Sequence, residues 1–347
     1  MNTYNVEILS HCFCAGAEQA KAEIRVPSIR GLLRWWFRVL GGTPKQEKAV
    51  FGGVHQLPGE RREDSARASA VRLRIVSPCE STEAVNLAGL GWDVNSGKGY
   101  LLWPLRARDR NADPKRGVIR PGKGFSLGVQ EQLPTDLKAR FTRALRACLL
   151  LGALGTRANR GFGSLWPVGG PLAPLNDLGD FIHMINGLEL PSEVRVITLS
   201  SAKKTPEDAL EEAGLWLRSW RAGSTKSVRD VKKWGQNDHD APIKDAISTI
   251  YRPAIGLPLM QRYSENRGMF KTSFEEGDRW ASPVHIKLAK LQGGYVPLVV
   301  FFPDMALPER SRVDIQEQRG GRHKTLPVSH DLLREMMNPP SDGQIVL

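Results

Sequence analysis

The order in which two periodicities alternate along the first 170 residues constrains the fold of this chain more than any other feature. Tyr4, Val6 and Ile8 alternate with Asn5 and Glu7, the period of a half-buried strand. After a polar loop, RVPSIRGLLRWWFRVLGG (25–42) carries apolar residues at helical spacing between a first-turn proline and a closing glycine pair. Val71, Leu73 and Ile75 alternate with Arg72 and Arg74, and Phe125–Val129 is a third apolar segment. Leu137, Phe141, Ala144, Cys148 and Leu151 then share one face of a helix near 135–152, and SLWPV (164–168) reads as a short strand. The order β-α-β-β-α-β is that of a split βαβ, or ferredoxin-like, unit.

A length of 347 residues supports about two domains, and the second half repeats the pattern without sequence identity to the first. Beyond a Gly/Pro-rich joint at 169–174, Val194, Val196 and Thr198 suggest a strand, and Thr205-Pro206 opens a helix with Leu210, Ala213, Leu217 and Trp220 on one face. Val284, Ile286 and Leu288 alternate with His285 and Lys287, Tyr295–Phe302 reads as a buried strand, Asp331–Met337 as a helix, and GQIVL as an edge strand. The expectation is an α+β fold of two tandem ferredoxin-like (RRM-like, βαββαβ) domains, 1–170 and 171–347, with insertions near 77–122 and 222–250. Both insertions are rich in Lys and Arg and interleave Trp103 and Trp234. That mixture suits single-stranded nucleic acid, where cations track phosphates and rings stack on bases; incidental surface charge is the alternative.

Charge points the same way. The net charge of +12 favours polyanionic partners. Arg30, Arg34 and Arg38 form one i, i+4, i+8 stripe on the helix at 25–42, with no acid inside that helix to pair them, so the stripe calls for a polyanion or for carboxylates from another segment. LVVFF (298–302) and LLLGAL (149–154) are too short to span a bilayer, and MNTYNVEILS lacks the pattern of a signal peptide, which predicts a cytoplasmic chain. The four cysteines show no CxxC pairing and read as reduced, structural thiols. Neither His11-Cys12-x-Cys14 nor Asp238-His239-Asp240 has the spacing of an established closed metal site, so no metal is expected.

In GTRANRGFGSL (155–165) glycine N–H groups and two arginines offer an anion cradle. It is not a nucleotide P-loop, because a helix leads in, a strand follows and the GK[ST] ending is missing; Arg157 and Arg160 would have to supply the positive charge. A plain turn is the alternative reading.

FCAGAEQAKAEIRVPSIRGLLRWWFRVLGG, followed by Glu47 and the FGG of 51–53, resembles the N-terminal signature of Cmr1-type proteins of the RAMP superfamily, Cas7-like subunits of type III-B CRISPR effector complexes. RGFGSL (160–165) resembles the glycine-rich loop of that superfamily, and DRWASPVHIKL (278–288) a C-terminal block of the same family. The resemblance implies two ferredoxin-like domains in a non-catalytic, cofactor-free subunit for antiviral defence. Such a subunit binds guide RNA near its 3′ end and the paired 5′ part of target RNA, beside another RAMP subunit. Carried onto this sequence, the RNA-facing residues are Arg25, Ser28, Arg30, Arg34 and Arg38, together with Arg157, Arg160, Gly161, Phe162 and Gly163. Lys115, Arg116, Arg120 and Lys123 of the first basic insertion join them as candidates. Trp35 and Trp36 are assigned to core packing. Two other readings stay open: a RAMP-type endoribonuclease processing guide precursor through His11, His55, Asp109 or Asp113, and a basic assembly protein that binds acidic partners.

Overall fold

The structure is a computed structural model that describes the chain except for residues 57, 60, 62–64, 82, 86–89, 94, 106–114, 173–174, 176, 223–231, 263–267, 275–278 and 292. Asp109 and Asp113 lie outside the described residues.

The first half is built from β1 (Asn2–Ile8), α1 (Val26–Val39), α2 (Pro44–Phe51), β2 (Val71–Ser77), β3 (Gly124–Glu131), α3 (Thr135–Leu151) and β4 (Leu165–Gly169). Its sheet runs β2-β3-β1-β4, antiparallel throughout, which is the ferredoxin-like order expected from the sequence. Helix α1 buries Ile29, Leu33, Trp36 and Phe37, while Phe141, Ala144, Leu145 and Cys148 are among the residues α3 buries. The reading of 25–42 therefore holds at the level of secondary structure.

The second half contains α4 (Leu178–Asn186), β5 (Arg195–Thr198), α5 (Pro206–Ala222), α6 (Lys232–Asp240), β6 (Leu259–Arg262), β7 (Met269–Phe274), β8 (Val284–Leu291), β9 (Gly294–Phe301), β10 (Arg312–Glu317), β11 (His323–Pro327) and α7 (Asp331–Met336). Strands β8-β9-β5 form an antiparallel sheet whose fourth position is taken by the C-terminal residues. There Ile345 bridges Ile197, and the Val346 N–H donates to Val196 at 2.8 Å. Here too the order is ferredoxin-like.

A second four-stranded antiparallel sheet, β6-β7-β10-β11, has no counterpart in the sequence reading. Its strands leave the ferredoxin-like frame between α5 and β8, and again between β9 and α7. They are four to six residues long and carry Arg312, Lys271 and Lys324 among their apolar positions, so the alternation is too brief to stand out. Part of the 222–250 insertion is also ordered as α6, whose Trp234 packs edge-on against Tyr251 with ring centroids 4.3 Å apart.

Candidate nucleic-acid interface

The arginine stripe of α1 meets its anion inside the protein. Thr43 and Gln46 form a reciprocal capping box that starts α2 at once after α1. One turn on, Glu47 is buried and accepts from Arg34 Nε at 2.5 Å and pairs with Arg38 Nη1 at 3.5 Å. Arg34 and Arg38 are thus held by a carboxylate from the next helix, the alternative left open by the sequence. Arg30 has no ion pair among the described residues, and exposed Arg25 sits 3.4 Å from Glu23. Replacing Glu47 by Ala leaves two guanidiniums without their partner and is expected to lower stability by about 1–3 kcal/mol. A lower urea midpoint at unchanged slope would show it.

The glycine-rich loop is a clasp between the two halves. Arg160, only 8% exposed, donates from Nη1 to the carbonyl of Val284 at 2.6 Å and to that of Asn159 at 3.0 Å. The Ile286 N–H donates back to the Asn159 carbonyl at 3.1 Å, and the Leu288 N–H to Ser164 Oγ at 3.1 Å, so the loop binds along β8. Phe162 is fully buried beside Phe13 and Trp92. Gly161 and Gly163 take positive φ, and Ser10 Oγ donates to the Gly161 carbonyl at 2.5 Å. Arg157 donates from Nε to the Leu101 carbonyl at 2.8 Å. Burial, with Arg221 close by, lowers Arg157 to about 10 and Arg160 to about 9. This revises the expected role of Arg160, Gly161, Phe162 and Gly163: burial and protein hydrogen bonds account for all four.

A different set of candidates converges on open space. Ser28 in the first turn of α1, Arg116 of the first insertion, and Gly155 and Thr156 at the mouth of the glycine-rich loop line one cleft of about 280 Å³, together with Cys14 and Gln19. Among the described residues, no acidic side chain lines it. Helix α1 begins with an extended Arg25, has no side-chain cap and carries no acid in its first turn; Pro27 has no N–H, and the Ser28 and Ile29 N–H groups donate to the Arg25 carbonyl at 3.1 and 3.3 Å, so it is the positive dipole end that is left for an external anion. Arg116 Nε is buried without a hydrogen-bond acceptor, which a buried guanidinium does not tolerate cheaply. The exposed side chains of Lys115 and Lys123 have no ion pair among the described residues. Arg120 is engaged, paired with both oxygens of Glu83 at 3.1 and 3.2 Å through Nε. The sequence reading missed Gly155, Thr156 and Gln19 as cleft walls; the first two stood in the quoted loop, but only the fold brings them beside Ser28. Trp103 in the same insertion is 55% exposed.

The candidate acid–base and metal groups are mostly built into the protein. His11 is 3% exposed, edge-on to Trp92 and 3.4 Å from Arg120 Nη1; burial, then that guanidinium, lowers it to about 4, so the ring is neutral at pH 7. Exposed His55 gives its carbonyl to Lys48 Nζ at 3.0 Å. Cys12 and Cys14 are buried with their sulfurs 3.3 Å apart. Buried Asp238 accepts the N–H groups of Tyr251 and Arg252, and Asp240 pairs with Lys244 at 2.7 Å. Among the described residues, no group of three or more His, Cys, Asp or Glu could hold a metal ion, and no helix is long and apolar enough to cross a membrane.

Residues 5–166 match the model of the RAMP superfamily, the stretch that contains α1, the cleft and the glycine-rich loop. Over that stretch, a little under half of its length, the chain is similar to the RAMP superfamily. The chain is 31% identical over 164 residues to the CRISPR system Cmr subunit Cmr1-1 of Pyrococcus furiosus, a match spanning 45% of this chain and 44% of that subunit. It is 26% identical over 184 residues to Cmr1-2 of the same organism, covering 47% of this chain and 92% of that one. The match to Cmr1-1 thus spans less than half of that relative's length. As a fold, the chain resembles the crystal structure of apo Cmr1 from P. furiosus, with a TM-score of 0.59 at 16% identity, covering 99% of this chain and 98% of the other. It also resembles a chain in a cryo-EM structure of a type III-B Cmr-beta complex bound to cognate target RNA, with a TM-score of 0.53 at 11% identity, covering 96% and 97%. At these identities the structural likenesses show the fold.

Proposed function

We propose that this chain is a Cmr1-type RAMP protein, a non-catalytic, RNA-binding subunit of a type III-B effector, contacting the 3′ region of the guide RNA and the target strand paired with it. The observation that carries this reading is the acid-free cleft at the uncapped start of α1, with the unsatisfied Arg116 Nε in its wall. A phosphodiester there would accept from that guanidinium and lie at the positive dipole end of the helix. Lys115 and Lys123 extend the positive surface, and Trp103 offers a ring to an unpaired base. Contacts of this kind hold the backbone and discriminate little among sequences.

A non-catalytic role agrees with the burial of His11, whose ring is 3% exposed and packed against Trp92, away from any strand bound at the surface. Incubating the purified chain with labelled single-stranded RNA of guide length tests both parts of the proposal. The expected result is salt-dependent binding with the RNA left intact; cleavage at a defined position would move the endoribonuclease reading ahead.

A further inference from the structure

One groove among the described residues has the opposite electrical character from the chain as a whole. It is a groove of about 740 Å³ between α5 and the segment that follows α7, and five carboxylates line it against a single ammonium, on a chain of net charge +12. Three of those carboxylates serve the protein: Glu212 pairs with Lys203 at 2.5 Å, Glu211 accepts the N–H groups of Gly97 and Lys98, and Asp208 accepts from Thr205 Oγ1 at 2.7 Å. Glu335 and Asp342, both exposed, have no cationic partner among the described residues. The apolar lining is Leu215, 44% exposed, with Trp216 and Trp220 packed edge-on to each other.

RNA is repelled by such a surface, whereas a polypeptide with lysine or arginine beside an apolar anchor satisfies both parts of it. We propose that this groove docks a cationic, apolar-anchored segment of a neighbouring protein subunit, so that the chain holds RNA on one face and protein on another. The inference rests on the effector reading above.

The test is co-production of the full chain with the other protein subunits of its own effector, comparing the parent with Leu215→Asp and with Glu335→Lys, Asp342→Lys. Carbodiimide coupling, which joins a carboxylate to a lysine in direct contact, should link Glu335 or Asp342 to a partner lysine. Both variants should be retained in the complex about tenfold less, with the RNA affinity of the free chain unchanged. Normal retention of both variants would overturn the docking site alone, as would a fall in free-chain RNA affinity with assembly intact. Failure of the parent chain to assemble would overturn the effector reading and this inference together.

Discussion

Gly163→Ala should destabilise the protein by about 3–5 kcal/mol, enough to remove much of the stability of an ordinary domain. Gly163 sits at φ +64°, and a Cβ there would lie 2.0 Å from the Leu154 carbonyl oxygen and 3.1 Å from Cys12 Sγ. Relaxation is blocked on both sides: the Gly163 N–H donates to the His11 carbonyl at 3.0 Å, and its own carbonyl accepts from the Leu154 N–H at 2.9 Å. Gly122 is the control. It has φ +80° but nothing within 4 Å of the same Cβ, so Gly122→Ala should cost only about 1 kcal/mol, from backbone conformation alone. Urea unfolding of the two variants separates packing from backbone preference. Equal, small losses would mean that the glycine-rich loop is not held as described.

Lys287→Met should stabilise the protein by roughly 1–4 kcal/mol at neutral pH. Lys287 stands in the centre of β8, 1% exposed, with an Nζ that has no hydrogen-bond partner. Burial holds its ammonium well below the ordinary value of 10.5, against the opposing effect of Cys148. The unfolded chain therefore binds a proton that the folded chain does not, and stability rises with pH until the ordinary lysine value is passed. The gain from Lys287→Met should accordingly shrink as pH climbs through 10.5. A thermal-unfolding series across that range reads it directly; a loss of stability in the methionine variant at pH 7 would show that the amine has a partner after all. The residue spacing had marked Lys287 as the polar, outward member of an alternating strand, but β8 is covered on both faces, one of them by the first half of the chain.

That error has the same origin as others. Periodicity reports which side of an element is apolar, so β1, α1, α3 and β8 were legible, and with them the split βαβ order of both halves. It does not report which distant segment covers an element. Glu47 was visible as part of the signature around α1, yet nothing in one sequence says that a buried carboxylate 13 positions on reaches Arg34. The glycines of 155–163 were correctly singled out, but close approach to Leu154 and Phe13 backbone, rather than to phosphate, explains Gly163 and Gly155. Arg116 was one cation among many in a basic insertion. Only the fold sets its Nε, without an acceptor, in the wall of the cleft beside the first turn of α1.

The claim that RNA runs over this cleft, and not along the arginine stripe, is tested most directly by salt titrations of RNA binding on two double variants. Each phosphate contact removed lowers the magnitude of the slope of log K against log salt by about 0.7 on a single strand. The account predicts a slope reduced by about 1.4 in Arg116→Ala, Lys123→Ala, and an unchanged slope in Arg34→Ala, Arg38→Ala, whose side chains Glu47 already holds. The reverse result, an unchanged slope in the first and a reduced one in the second, would contradict it.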